Sequence, residues 1–242
     1  ELMALMVGGM ATIAGGVAAA YASLGIDAGH LLTASILSAP GALVIAKLMF
    51  PETEKSATAD EACELPKSTA ANSIDALCQG ASDGMRLSIN VIAMLIAFVA
   101  LVYMANSILG WALSWTAWSF TIQEAAGWLN VPFAWLMGVP PDECVRVGAV
   151  LGERVVLNEF VGYLYLSGMM EGEGALRPRT SAIATYALCG FANFASVAIQ
   201  IGGIGTLAPG RRADLAKLGL RAMVGGLLAC YLTATVAGLL MR

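Results

Sequence analysis

Apolar residues in this chain come in long unbroken runs, not in strand-like alternation. From Leu2 to Ile26 no residue is charged. A helix needs about 20 apolar residues to cross a bilayer, so the run predicts a first span over about 2–26. Asp27-Ala28-Gly29-His30 is a short polar turn, and 31–47 predicts a second span that ends at Lys47. The stretch from Pro51 to about Asp83 is polar and carries helix breakers; 70–80 within it suits an amphipathic helix lying in the interface. Further spans are predicted over 87–109, 180–207 and 219–241. Trp111, Trp115, Trp118 and Trp128 follow the third run, as an aromatic belt at the headgroup level does.

Composition agrees with this pattern. The chain has 242 residues, 58% hydrophobic and 12% charged, against about 25% charged in soluble domains, and its mean hydropathy is +0.75. These values define an all-α integral membrane protein. A net charge of -4 with no basic stripe gives no reason to expect nucleic acid as a partner. The single histidine, His30, and five scattered cysteines form no CxxC or HExxH spacing, which argues against a structural metal or a disulfide framework. Each cysteine reads as a small apolar filler.

Lys and Arg set the direction of the spans. The 47–86 loop carries Lys47, Lys55, Lys67 and Arg86, and the stretch before the last span carries Arg211, Arg212, Lys217 and Arg221. With both on the inside, the first, third and last spans run outward, and the second and the 180–207 run inward. The segment 128–166 must then begin and end outside. Pro140-Pro141 breaks it, and Asp142–Arg154 and Glu159–Leu166 read as two short helices with a tip near 155–158. The prediction is a re-entrant helical hairpin over about 141–167, with Asn158 and Glu159 at the tip. An ionisable group inside the membrane is a functional candidate; a glutamate facing headgroups is the plainer alternative. Arg154 is near enough in sequence to neutralise Glu159 or Glu153.

Two phrases in the apolar runs resemble each other. Gly9-Met10-Ala11-Thr12-Ile13-Ala14 aligns with Gly190-Phe191-Ala192-Asn193-Phe194-Ala195, with three of the six identical and a polar residue in the same slot. Small residues are common at helix contacts in membranes, so packing alone is one reading. The opposite directions of the two spans favour another: inverted-repeat discontinuous helices of a multi-span transporter, broken near the midplane to bind substrate and ion. Asn193 and Ser196 share a helix face. A Thr12 hydroxyl with unwound carbonyls suits Na+, a hard cation that takes oxygen ligands.

GGMATIAGGV, LSAPGALVIAKLMFPETE, LNEFVGY, LCGFANFASVAI and GTLAPGRRADLAKLGLRA together resemble the C-terminal part of the concentrative nucleoside transporters, across essentially the whole chain. The resemblance implies a homotrimeric, multi-pass protein of the bacterial inner (plasma) membrane that imports nucleosides such as uridine with Na+, or with H+ in some members, and uses no catalytic cofactor. By motif, Glu159 is expected to contact the ribose hydroxyls, with Asn158 beside it; Asn193 also reaches the ribose, Ser196 lies near, and Phe191 lines the pocket. The Thr12 side chain and the Ile13 backbone are similar to the sodium site, and Val17 packs near the base. Where the family often has serine this chain has Gly16, which removes a hydroxyl. The family's first hairpin, with its Gly-Gln-Thr-Glu phrase, belongs upstream of these spans, so the sequence reads as a fragment holding about half of the binding site. A transporter of another small polar solute, such as an amino acid, is the alternative. A membrane enzyme would need a nucleophile with a base or a metal pair, and neither is evident.

Overall fold

Backbone polar groups cannot face hydrocarbon unpaired, and the apolar runs accordingly fold as helices. The computed structural model describes residues 1–53, 70–116 and 119–241. Trp118, Cys63, Lys55 and Lys67 lie outside the described residues. Among the described residues the elements are α1 (Leu2–Ala11), α2 (Gly15–Ser23), α3 (Ala28–Met49), α4 (Ser73–Leu113), α5 (Ile122–Leu136), α6 (Cys144–Val156), α7 (Glu159–Gly168), α8 (Pro178–Leu188), α9 (Phe194–Leu207) and α10 (Arg212–Leu240), with a 3-10 turn at Pro209–Arg211 before the last. Four helical stretches among these residues are long and apolar enough to cross a membrane: Leu2–Ser23, Ala28–Met49, Ser73–Leu113 and Pro209–Leu240.

The packing fixes relative directions. α10 is the central post, with thirteen buried residues. Val7 and Met3 lie against Gly225, Met10 against Gly226, and Cys230 Sγ is 3.9 Å from Ala11 O, so α1 runs parallel to α10. Val197 lies against Gly219, Ala192 against Gly226 and Ile183 against Gly238, so the α8–α9 pair runs the other way. The two matching phrases therefore sit in antiparallel helices. α3 caps its N-terminus with Asp27, whose Oδ1 accepts from His30 N at 2.9 Å; that bond holds the Asp27 carboxyl below its ordinary range.

Two elements differ from the pattern-based boundaries, and a third agrees with the predicted break. The polar stretch at 73–86 is not a separate interfacial helix; it continues into the apolar run as one 41-residue helix. Asn72 caps the helix, accepting from Asp75 N at 2.9 Å, and no proline follows to stop it. The 180–207 run is two helices separated at Cys189–Asn193, the discontinuity that its small polar phrase predicts. Finally, α5 precedes the predicted hairpin, where no helix was expected. Its signal is legible in hindsight: Thr121 and Glu124 form a reciprocal capping box, the S/T-x-x-E pattern that opens helices.

α5 lies almost backbone to backbone on α6. A Cβ built on Gly152 would stand 2.5 Å from Gln123 O and 2.5 Å from Gly127 N, and one on Gly148 would stand 2.8 Å from Gly127 O. Gly148 and Gly152 are spaced i, i+4, the small-xxx-small pattern that lets membrane helices approach closely. At the far end of this pair, Glu143 is buried and accepts from Thr180 Oγ1 at 2.5 Å and Arg177 N at 3.0 Å. Arg179 donates to the carbonyls of Gly138, Gly238 and Met241. The turn after α5 is thereby pinned to the start of α8 and the end of α10. Gly152→Ala should force α5 and α6 apart and cost about 1–3 kcal/mol, the usual range for overpacking. A thermal melt of the detergent-solubilised protein checks this; an unmoved transition contradicts the contact.

Candidate functional site

Each phrase marks a helix break. α1 stops at Ala11; Thr12 takes extended dihedrals (φ -117°, ψ 160°), as does Ala14, and α2 restarts at Gly15. The Thr12 hydroxyl donates back to Gly8 O at 3.1 Å. Thr12 and Ile13 are half-buried, while Gly15 and Gly16 are exposed. No neighbour would meet a Cβ on Gly8, Gly15 or Gly16, but a Cβ on Gly9 would stand 2.6 Å from Gln200 Nε2. Gly9 is thus the one of these four glycines whose open side is occupied, by Gln200, which donates to Met6 O at 3.0 Å.

The second break is sealed against the first. Gly190 has φ +147°, and a Cβ on it would lie 2.7 Å from Met10 O and 2.9 Å from the Ala11 carbonyl carbon. Only glycine fits both the backbone conformation and the space. Asn193 then opens α9: its Oδ1 accepts from Ser196 N at 2.9 Å, the bond expected of an N-cap. The Ser196 hydroxyl is directed at Asn193 Oδ1, at 2.8 Å, and at Phe191 O. Asn193 and Ser196 are buried and Phe191 half-buried.

The hairpin tip closes on the same place. α6 ends at Val156, Leu157 and Asn158 make the turn, and α7 begins at Glu159. Asn158 caps α7, accepting from Val161 N at 3.0 Å, so its side-chain oxygen is committed to the backbone. Glu159 is half-buried. Its Oε1 accepts from the Tyr21 hydroxyl at 3.2 Å and its Oε2 from Asn193 Nδ2 at 3.3 Å. One carboxylate therefore joins the hairpin, α2 and the α9 cap. Val17 lies on α2, 38% exposed, one turn before Tyr21.

The structure thus brings Glu159, Asn193 and Ser196 into one hydrogen-bonded group and sets the Thr12–Ala14 break against the same crossing. Three contributors were not found from sequence. Tyr21 carries no local signal, since it reads as one more aromatic in an apolar run. Gln200 carries no local signal either, being a single polar residue in an apolar run. Cys230 is no mere filler, because its thiol lies 3.2 Å from Arg154 Nη2 and 3.1 Å from Cys189 O. Arg154 also departs from expectation. It makes no ion pair with Glu159 or Glu153 among the described residues; instead it donates to Ala187 O at 2.5 Å and Gly190 O at 3.2 Å. Ala187 lies in the last turn of α8 and Gly190 in the break that follows it, where the helix no longer supplies amide partners.

Antiparallel broken helices meeting at a polar cluster, beside a helical hairpin with an acidic tip, define a membrane transporter of the inverted-repeat class. Comparison with known proteins gives the family. Residues 30–238 match the family described as Na+ dependent nucleoside transporter C-terminus, and the chain belongs to that family of transporters, not enzymes. It is 45% identical over 246 residues to an uncharacterized transporter of Haemophilus influenzae, covering 99% of this chain and 58% of that protein. Against the nucleoside permease NupC of Helicobacter pylori it is 39% identical over 243 residues, covering 99% and 57%. Against solute carrier family 28 member 3 of Homo sapiens it is 40% identical over 258 residues, covering 99% and 37%. Among solved structures it resembles CNTnw in an inward-facing substrate-bound state (42% identity, TM-score 0.80, 98% of this chain and 57% of that one). It also resembles a CNTnw variant in an intermediate 2 state (42% identity, TM-score 0.87, 99% and 58%). The chain spans little more than half the length of the bacterial relatives.

The crossing yields a stability prediction. Gly190→Ala places a Cβ against the Met10 carbonyl and forces a positive-φ backbone on alanine. The expected loss is at least about 2 kcal/mol, seen as a lowered melting temperature, whereas Gly15→Ala, which faces open space, leaves the melt within about 0.5 kcal/mol of the parent.

Proposed function

We propose that the full-length protein is a cation-coupled nucleoside symporter of the bacterial inner (plasma) membrane, working by alternating access and driven by Na+. The observation that carries this reading is the Glu159 carboxylate held between Tyr21 and Asn193 where the two broken helices cross. A carboxylate offers about four acceptor sites. Tyr21 and Asn193 take one each, so acceptor capacity remains for a vicinal diol, as a ribose presents. Asn193 and Ser196 are already locked by mutual hydrogen bonds, so the polar groups are oriented before substrate arrives. Phe191 and Val17 supply apolar wall on either side. Nucleosides such as uridine fit this combination.

The reading puts the cation at Thr12 and Ile13. The break removes the amides that would pair the last carbonyls of α1, which leaves oxygens for a hard cation. Alternating access draws support from the CNTnw relatives, whose solved states include inward-facing, outward-facing and intermediate ones. A homotrimer accords with α4, whose 41 residues include no buried one and which therefore offers a long apolar helix to neighbours.

Two substitutions test the reading in the full-length protein reconstituted in liposomes. Glu159→Gln removes the charge that strengthens the sugar hydrogen bonds, and should weaken sodium-driven uridine uptake by about 10- to 100-fold, since each charged hydrogen bond is worth about 1.5–3 kcal/mol. Unchanged uptake would remove Glu159 from the substrate site, and uptake displaced by amino acids but not by nucleosides would replace the substrate class. Thr12→Ala should raise the sodium concentration for half-maximal uptake several-fold. A sodium curve that does not move puts the cation elsewhere, and uptake driven by a proton gradient alone replaces the ion.

A further inference from the structure

Laid in the register of the repeated phrase, Gly9 meets Gly190, and three residues earlier Met6 meets Ala187. Each of these earlier carbonyls carries a side-chain donor from another helix. Met6 O accepts from Gln200 Nε2 at 3.0 Å, and Ala187 O from Arg154 Nη1 at 2.5 Å. The first donor is a neutral amide. The second is a guanidinium that also reaches Gly190 O and Cys230 Sγ, each at 3.2 Å. The two halves therefore share a hydrogen bond in register and differ by one full charge.

That charge is not required for the hydrogen bond, as Gln200 shows at the equivalent carbonyl. It is also permanent, because a guanidinium does not lose its proton in proteins. Arg154 is wholly buried, and among the described residues no carboxylate lies within ion-pairing distance of it. Around it are the carbonyl end of a broken helix, which carries partial negative charge, the thiol of Cys230 and, beyond ion-pairing distance, the Glu159 carboxylate. Helix-end carbonyls around a positive charge are the chemistry of a cation site.

We propose that Arg154 is a fixed cation. At the second break it fills the slot that the neutral Gln200 amide fills at the first, so a positive charge is permanently held beside one break of the pseudo-symmetric pair and only the other is left free to exchange an ion. The inference rests on the placement of the coupling cation at Thr12 and Ile13. Its consequence is electrostatic: a second mobile cation is repelled from the Gly190 break and directed to the Thr12 break. Arg154 acts through the backbone and is a positioning residue, not a substrate contact.

The test uses Arg154→Ala in the full-length protein, with uridine uptake into liposomes and thermal melting in detergent as separate readouts. Uptake at moderate sodium should fall by about tenfold or more. Millimolar guanidinium should restore part of it and raise the melting temperature of the variant but not of the parent. High sodium should do the same, with an activation slope steeper than the parent's by about one ion. Restoration by either cation supports the fixed-cation role; restoration by neither overturns it, since methylurea-like hydrogen bonding alone would then be the arginine's contribution. If Arg154→Ala does not fold, Arg154→Lys against Arg154→Gln decides, since both donate hydrogen bonds and only lysine carries the charge: a folded, active lysine variant beside a failed glutamine variant upholds the role, and equal behaviour of the two overturns it. A parent protein that shows no sodium-stimulated uridine uptake defeats the proposed function instead, while the melting readout still reports on Arg154.

Discussion

A broken helix inside a membrane exposes backbone groups that neither water nor lipid can satisfy, and the centre of this structure is organised around that constraint. Two helices break, at Thr12–Ala14 and at Cys189–Asn193. Thr12 turns its hydroxyl onto Gly8 O, and Asn193 caps α9 through Ser196 N. Gly190 lets the two breaks touch, and Arg154 covers the carbonyls that the second break frees. An unsatisfied group of this kind costs several kcal/mol in hydrocarbon, so these side chains are as necessary to the fold as its apolar contacts.

The same bonds create the site. Asn193 cannot cap α9 without presenting its amide to Glu159, and Glu159 cannot begin α7 without lying at the hairpin tip beside it. On the proposed reading, helix termination and ligand binding draw on the same residues, which accounts for the polar groups clustering here while the flanking helices stay apolar. The cavity lined by Arg211, Asp214, Lys217 and Arg221 lies at the start of α10, among charged side chains remote from this cluster. The proposed reading puts ligand chemistry at the crossing, where polar groups converge on a carboxylate.

Sequence revealed what is periodic or local and missed what depends on crossing. The runs gave the apolar helices, Pro140-Pro141 marked the turn before α6, and the small polar phrases marked both breaks, because each is a signal within ten residues. α5 was missed although its capping box was present, since Trp128 drew that stretch into an aromatic belt; Trp111, Trp115 and Trp128 are indeed exposed. Arg154 was assigned to a carboxylate because charge and proximity in sequence suggest one. The carbonyls it does bind lie 33 and 36 residues away and have no signature in the letters. Tyr21 is 138 residues from Glu159, and no pattern in either segment links them.

That last contact gives the two halves of the site a mechanical connection. α2 runs from the Thr12–Ala14 break to Ser23 as one rigid helix, and it lies parallel to α7: Tyr21 meets Glu159 and stacks on Tyr163 at 4.2 Å, and Ser167 donates to Leu24 O at 2.7 Å. On the proposed reading, an ion that orders the break fixes the angle at which α2 leaves it. Two turns later that angle sets where the Tyr21 hydroxyl stands relative to Glu159. The proposed sugar-binding carboxylate is thereby sensitive to the ion through the stretch of α2 from Gly15 to Tyr21, without the two ligands touching. Reciprocity follows, because a nucleoside that engages Glu159 favours the same position of Tyr21 and so the same ordered break. Tyr21 was the residue with the least to say in the sequence, and it is the one through which the two half-sites can act as a single site.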